Sequence, residues 1–393
     1  MVFLSKNRNI VCLKHTTVMA HTIMYKISVF IPVYRESRFL EPLLTYLLND
    51  PYENKEIFVV IDEPTQKSIE TSNKFSNNKV HFILNGERRG KANVLNEVVK
   101  KSTGDIFLFL DSDVLLDAQE DSFLETIVKE MDDAEIIEIR KEVMKDSFIS
   151  RVARYDYLSF SLTNWFFSKK IGRCLGINGA AFAIKRKAFE TLGGFRRVIC
   201  EDLDIATRSF INKMRFKFVD KVMAYTKAPS SWKEWFNQRK RWGIGTAFWF
   251  KEYFSLFKRI VKEYPKIVAL SLLFIFPALP LLLMNLFTPD EIFVKTLYVS
   301  LILLSSQTNI LLPPTALTST TLSVLKSIIV VAGNLIAYSL LFFLIARRFR
   351  SSFNPLDFII YYFITAPLWL LIVITSIIRV YLNPKDIKID WKT

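Results

Sequence analysis

Three short stretches hold side chains that could do chemistry. "FLFLDSDV" sets Asp111 and Asp113 directly after a buried apolar run. Alternate residues leaving a strand point the same way, so the two carboxylates can share one hard divalent cation, Mg²⁺ or Mn²⁺. Two solvated loop aspartates are the bland alternative, but a position at a strand's carboxyl end favours the metal reading. "CEDLD" at 200–204 gathers Glu201, Asp202 and Asp204 ahead of the helical pattern "IATRSFINK". Acids at a helix start commonly cap it and favour its dipole; a carboxylate in a cleft can also take a proton from a sugar hydroxyl. The spacing leaves both readings open. "WFNQRKRWGIGT" (235–246) brings Gln238, Arg239, Lys240, Arg241 and Trp242 together. "SWKE" at 231–234 has the form of a capping box, Ser231 with Glu234 three positions on. The helix it opens carries Trp235, Gln238, Arg241 and Trp242 on one face, with Arg239 one step around. Indole, amide and guanidinium on one stripe suit sugar stacking and phosphate contact, and equally an interfacial helix among lipid headgroups. "FWFKEYFSLFKR", just downstream, fits the interfacial description better.

Alternating strand and helix patterns must position these groups. "ISVFIPV" (27–33), "EIFVVID" (56–62), "VHFIL" (80–84) and "DIFLFL" (105–110) read as buried strands. "RFLEPLLTYLL" (38–48), a polar segment near 65–76 and "KANVLNEVVKK" (91–101) read as helices between them. Such alternation implies an α/β, doubly wound, mainly parallel sheet that binds ligands beyond the carboxyl ends of its strands. The residues there are Pro32 to Glu36, Asp62 and Glu63, and Asp111 to Asp113. The clearest linker is "KAPSS" at 227–231.

Of the 393 residues 51% are hydrophobic, and mean hydropathy is +0.23. The apolar residues concentrate in four blocks, 267–287, 292–312, 322–346 and 357–381, each near the ~20 residues that cross a bilayer as a helix. A formal charge of +15 therefore points to an anionic membrane surface and phosphorylated substrates, not to nucleic acid. Cys12, Cys174 and Cys200 form no CxxC, and the three histidines are scattered. That gives a zinc site little support and fits a reducing compartment, with the catalytic domain cytoplasmic. No signal peptide is evident, and residues 1–23 are expected to be a disordered extension or an upstream misassigned start. "RRFR" at 347–350 falls on the outer side if all four blocks span. It falls inside, as positive charge prefers, if 292–312, with Lys295, Gln307 and Asn309, is re-entrant or interfacial. Three full spans are expected.

Together these stretches resemble the family 2 glycosyltransferases of the GT-A fold, in the membrane branch of cellulose, hyaluronan and chitin synthases and ceramide glucosyltransferases. "VFIPVYRES", with Pro32 and Glu36, is similar to the first strand and nucleotide-binding loop. The resemblance implies that Asp62 contacts the nucleoside base and that Lys91, in "RRGKANVLN", lies near base and phosphates. Asp111 and Asp113 match the Asp-x-Asp, with Asp113 the expected metal ligand; "GINGAAFAIKRKAFETLGGF" (176–195) looks like the acceptor-side loop. Glu201 and Asp202 match the Glu-Asp pair, whose Asp is the general base. Gln238, Arg239, Arg241 and Trp242 match the Gln-x-x-Arg-Trp signature. Gln238 and Trp242, with Glu201, are assigned to the acceptor; Arg239 and Arg241 are assigned to the departing nucleoside diphosphate. The likeness covers about residues 25–250. It departs from the family at "IDEP", where paired aspartates and Gly-Ser are usual, and in having no membrane helix before the catalytic domain.

The implied organisation is an N-terminal extension (1–24), a GT-A domain (25–230) and interfacial helices (231–265). A membrane domain of 3–4 helices (266–382) and a tail (383–393) follow. The implied activity is inverting transfer from a UDP- or GDP-sugar to a membrane lipid or lipid-linked glycan, at the cell membrane, with an oligomer possible. Alternatives are a processive polysaccharide synthase, a polyprenyl-phosphate sugar synthase and a catalytically inactive membrane scaffold. At most four spans leave little for an export channel in one copy.

Overall fold

The computed structural model describes residues 25–76, 79–118, 122–280, 290–308 and 318–384, together with Leu283. The proposed extension before Tyr25 and most of the tail lie outside these residues.

Eight strands form one mixed sheet: β1 (Ile27–Tyr34), β2 (Lys55–Asp62), β3 (Val80–Asn85), β4 (Ile106–Leu110), β5 (Val114–Ala118), β6 (Ile136–Val143), β7 (Ala181–Lys185) and β8 (Phe216–Thr226). Their order is β3-β2-β1-β4-β7-β6-β8-β5. The first four run parallel, β7 runs against both β4 and β6, β6 and β8 are parallel, and β5 closes the edge antiparallel to β8. The expected α/β sheet is present, with its parallel half where the four apolar runs lie.

Alternation along each strand splits the core into two chemically distinct faces. One is aliphatic: Val29, Ile31, Val59 and Leu108 pack under Leu40, Leu43, Leu44 and Leu47 of α1 (Leu40–Asn49). The other is aromatic. Phe30 lies 5.6 Å from Phe58 and 5.2 Å from Phe109, and Phe109 lies 5.0 Å from Phe182, ring centre to ring centre. This face carries the helices that bear the site, α3 (Lys91–Val99), α5 (Phe148–Lys170), α6 (Arg186–Thr191) and α7 (Glu201–Ile211), while α2 (Gln66–Phe75) and α4 (Phe123–Met131) pack with the aliphatic face.

Between residues 114 and 175, β6 and α5 are elements that hydrophobic patterning does not announce. In β6 the strand "IIEIRKEV" buries Glu138, Arg140, Lys141 and Glu142. Burial is possible because the charges pair, Lys141 with Glu138 at 2.9 Å and Arg140 with Glu142 at 3.1 Å. Helix α5 is buried on two sides, between the sheet and the apolar helices, so its 23 residues show little amphipathic contrast.

Beyond β8 come α8 (Trp232–Glu252), α9 (Phe254–Glu263), α10 (Pro265–Ile275), α11 (Asp290–Thr308), α12 (Ser319–Arg348), α13 (Pro355–Ile360) and, after a single wide turn, α14 (Ala366–Leu382). Among the described residues two helical stretches are long and apolar enough to cross a membrane. They are Thr320–Arg348, of mean hydropathy 2.5, and Pro355–Leu382, of 2.2. In the first block the described helix α10 has 11 residues, too few to span, and the second block coincides in part with α11. The loop joining the two long stretches is bonded to the catalytic domain. Ser351 Oγ donates to Glu142 at 2.7 Å, Tyr155 Oη donates to the Asn354 carbonyl at 2.7 Å, and Arg151 pairs with Asp357 at 3.2 Å. Arg348 reaches Asp220 at 3.0 Å.

One buried carboxylate ties the amino ends of β1 and β2 to the turn before β4. Glu56 accepts from Ser28 Oγ at 2.6 Å and Thr103 N at 2.7 Å, and pairs with Lys26 at 2.8 Å. Burial alone would raise its pKa; the donors override burial and hold it down at about 2. Its stabilising effect is complete above the ordinary glutamate value of 4.5 and is lost as pH falls from there toward about 2. Glu56→Gln should cost about 2 kcal/mol at neutral pH and flatten the stability curve across that acid window. Chemical denaturation of both proteins between neutral pH and the acid limit checks it; parallel curves would sink the assignment.

Candidate active site

The two carboxylate sets stand on opposite sides of one dipeptide. Asp111, leaving β4, donates its backbone N–H to the Ala180 carbonyl at 2.9 Å. Asp202 Oδ2 accepts from the neighbouring Gly179 N–H at 2.8 Å. A Cβ at Gly179 would press on Asp202, 3.0 Å from its Oδ2, a tight contact that the carboxylate would have to yield to. Lys91, the first residue of α3, bridges from the side, with Nζ 2.7 Å from Asp111 Oδ1 and 3.3 Å from Glu201 Oε1. The four residues thus share one small volume although they come from three separate parts of the chain.

The electrostatics are those of a crowded acidic cleft. Burial, and then the Asp111 charge, push Asp113 up to about 6. Burial also raises Glu201; Lys91 opposes that and Asp202 reinforces it. Lys91 is penalised by burial, yet Asp111 and Glu201 hold it firmly protonated. Two carboxylates at one strand end, one of them raised by the other, form a donor set that a hard divalent cation relieves. Asp113 and Asp111 are the residues that would hold it; among the described residues no group of three or more His, Cys, Asp or Glu gathers as a candidate metal site.

The three acids of "CEDLD" part company. All lie in the first turn of α7, as caps do, and Asp202 Oδ1 also accepts from Leu203 N at 2.8 Å. Asp204 is tied down by Arg196 at 3.0 Å, Arg208 Nε at 2.8 Å and Tyr253 Oη at 2.9 Å, a structural role.

The residues expected to meet the nucleotide are held in place by their neighbours. Asp62 Oδ2 accepts from Arg89 N at 2.8 Å and Gly90 N at 2.9 Å, and Oδ1 from Asn85 Nδ2 at 2.8 Å, so it shapes the turn before α3. Glu36 accepts from Thr65 Oγ1 at 2.8 Å, at the start of α2. Pro32 sits half-buried in β1. Arg35 and Glu63, the residues just beyond β1 and β2, hold left-handed backbones, φ 61° and 50°. Strain of that kind is typical of binding loops.

Helix α8 starts as expected, with Ser231 Oγ accepting from Glu234 N at 3.3 Å, but Glu234 returns to Ser230, not Ser231. Gln238 and Trp242 are half-buried and Arg241 is exposed. The Arg241 charge is felt at Cys200, beside the acids, where it opposes the effect of burial on the thiol. Arg239, expected among the donor contacts, is placed elsewhere. Its side chain is completely buried, 2.7 Å from Asp156 of α5, with Trp242, Trp235 and Trp369 around it. The helix turns it inward because residues four apart share a face, and Trp235 anchors that face in the core.

Residues 28–193 match the family described as glycosyl transferase family 2. The matched stretch is less than half of the chain; with the relatives that follow, it makes the chain a glycosyltransferase. It is 24% identical over 289 residues to a probable glycosyltransferase, YdaM, of Bacillus subtilis, covering 70% of this chain and 67% of that protein. It is 25% identical over 243 residues to the poly-beta-1,6-N-acetyl-D-glucosamine synthase of Staphylococcus aureus, covering 61% of this chain but only 58% of the synthase, less than two thirds. A mannosyltransferase of Pyrobaculum calidifontis, solved in complex with GDP-Man and Mn²⁺, superposes with a TM-score of 0.49 at 19% identity, over 79% of this chain and 87% of that one.

Proposed function

We propose that the chain is an inverting transferase that moves a sugar from a UDP- or GDP-linked donor to a membrane lipid or lipid-linked glycan. The observation that carries this reading is the Gly179–Ala180 dipeptide, with Asp111 bonded to one residue and Asp202 to its neighbour. A donor diphosphate at Asp111 and Asp113 and an acceptor hydroxyl at Asp202 then meet in one cleft.

Asp202 takes the proton of the acceptor hydroxyl as that oxygen attacks the anomeric carbon. The bond from that carbon to the diphosphate oxygen breaks, its electron pair leaving with the nucleoside diphosphate, and the carbon inverts. A divalent cation bound at Asp113 and Asp111 supplies charge neutralisation to the diphosphate. Lys91 releases part of its hold on Asp111 to the phosphates, and Arg241 adds a second cation. Pro32, Glu36 and Asp62 frame the nucleoside; Glu201, Gln238 and Trp242 face the acceptor.

Two apolar helices and the bonded loop between them support a multi-pass membrane protein with its catalytic domain on the cytoplasmic side. If Thr320–Arg348 and Pro355–Leu382 both cross, the loop at 349–354 lies on the catalytic side, because Glu142 and Tyr155 hold it there and Arg151 pairs with Asp357 just beyond it. The chain between α9 and Arg347 then crosses an even number of times, which fits three spans in all. In a background without the native cysteines, Arg350→Cys should react with an impermeant maleimide only from the cytoplasmic face of sealed vesicles. Labelling from the outer face would overturn this topology.

The deciding assay measures nucleoside diphosphate release from a panel of nucleotide sugars in membranes, with Mn²⁺, Mg²⁺ or EDTA. Metal-dependent release with one donor is expected, with one discrete glycolipid as product. Products of many lengths would favour a processive synthase, the activity named for the Staphylococcus aureus relative. Failure to bind any nucleotide would leave an inactive scaffold.

A further inference from the structure

Trp235, Arg239, Gly243 and Ala247 recur every fourth residue of α8, and all four are buried. Three of them are what a packed stripe requires; a guanidinium is not. Arg239 donates through Nη2 to Asp156 Oδ2 at 2.7 Å, and neither side chain reaches solvent to more than 4%. Its Nε and Nη1 meet no oxygen among the described residues. Three indoles surround it instead, Trp242 at 4.5 Å, Trp369 at 5.4 Å and Trp235 at 5.5 Å from the guanidinium carbon. A caged cation of this kind has no face left for a phosphate. A buried ion pair is a poor way to gain stability compared with apolar packing, and its best-attested use is to fix register.

What it fixes can be followed outward. Asp156 belongs to α5, the floor between sheet and apolar helices, and Trp369 belongs to α14. One turn beyond Arg239, Gly243 rests on α14 so closely that a Cβ would come within 2.8 Å of Ser376 Oγ and 2.9 Å of Ile372. Gly245 rests on the start of α7, where a Cβ would overlap Cys200 Sγ. Cys200 immediately precedes Glu201 and Asp202. Each residue turns a helix by about 100°, so a slip of one position would swing Arg241, whose charge reaches Cys200, away from the acids and Trp242 with it.

We propose that Arg239 is a positioning residue: its pair with Asp156 latches the depth and rotation of α8, and through the Gly245–Cys200 contact holds Asp202 in line with Trp242 and Arg241. It touches neither donor nor acceptor. The kinetic part of the test rests on the transferase reading; the exchange part does not.

Arg239→Met, Asp156→Asn, the double variant and Arg239→Lys would be compared with wild type as full-length protein in lipid nanodiscs. Either single change should lower kcat by about 10- to 100-fold, as a small misplacement of reacting groups does, with donor KM and nucleoside diphosphate Kd within about twofold. The double variant should be no worse than the worse single, and Arg239→Lys should recover most of the rate. In nucleotide-free protein, amides of 200–203 and 240–247 should exchange faster in Arg239→Met and in Asp156→Asn alike. A tenfold rise in donor KM or Kd for Arg239→Met with Asp156→Asn normal would assign Arg239 to the donor and overturn the latch. Additive losses or unchanged exchange would overturn it as well. If Arg239→Met does not accumulate, Asp156→Asn is set against Arg239→Lys: a loss of rate and faster exchange in the first with near wild-type behaviour in the second is expected, and a tenfold rise in donor KM for Arg239→Lys with Asp156→Asn normal would overturn the latch. If wild type turns over no donor, the transferase reading fails while exchange still decides the latch.

Discussion

Asp202→Asn should lower sugar transfer by about 10³-fold while leaving nucleoside diphosphate affinity within about twofold, because a general base contributes on that scale to turnover and nothing to donor binding. The carboxylate is held as the proposed base would need to be. Gly179 N–H and Leu203 N–H orient its two oxygens at 2.8 Å each, and both oxygens keep lone pairs for an incoming hydroxyl. Asn matches the shape and keeps one of these bonds, so the loss reports charge and basicity more than folding. Asp204→Asn is the contrast. Asp204 is already committed to Arg196, Arg208 and Tyr253, so its loss should lower the melting temperature and leave rate per folded molecule close to wild type. Rates and calorimetric nucleotide titrations on the two variants separate the roles. If Asp202→Asn keeps more than about a tenth of the activity, well inside the 10²-fold floor for such catalysis, another group is the base.

The parts of the molecule legible in its sequence are those where one physical demand acts alone. Strands β1, β2 and β4 lie in a parallel sheet covered on both faces, so burial writes them as unbroken apolar runs. Helices α1 and α3 bury one face and show it. The paired acids are conspicuous because they gather at a strand's end, and the Gln238–Trp242 stretch because amide, cation and indole crowd into one helix. Illegible are the places where polar groups are buried in compensating pairs. Glu138, Arg140, Lys141 and Glu142 disguise β6, and Arg154 and Asp156 inside α5 disguise the helix that joins the sheet to the apolar segments. Arg239 belongs to the same class. A reading by reactive side chains sets it beside Arg241, whereas the four-residue spacing from Trp235 to Ala247 marks it as interior. The bridge from Lys91 to Glu201 has no local signal, since it exists only once α3 and α7 meet across the aromatic face.

Asp113→Asn should abolish metal-dependent nucleotide binding more completely than any change at the nucleoside end of the cleft. A unit charge about 4 Å from another is worth about 4 kcal/mol at an effective dielectric of 20, close to 10³-fold in affinity. Asp113 is mostly buried and lies beside Asp111, whose Oδ1 is already taken by Lys91 at 2.7 Å. Asp113 is therefore the carboxylate with its charge still to be met, and removing it leaves a cation only a ligand shared with a lysine. Titration of UDP and GDP in Mn²⁺ and in EDTA should show a loss of about 10²- to 10³-fold in the metal-dependent part alone. Asp111→Asn should cost less in metal binding but should also free Lys91, which then has only Glu201 to pair with. Equal losses at the two positions would mean that both carboxylates ligate equally. No loss at Asp113 would mean that nucleotide is held without a metal, by Lys91 and Arg241, and the cation would have to be dropped from the chemistry.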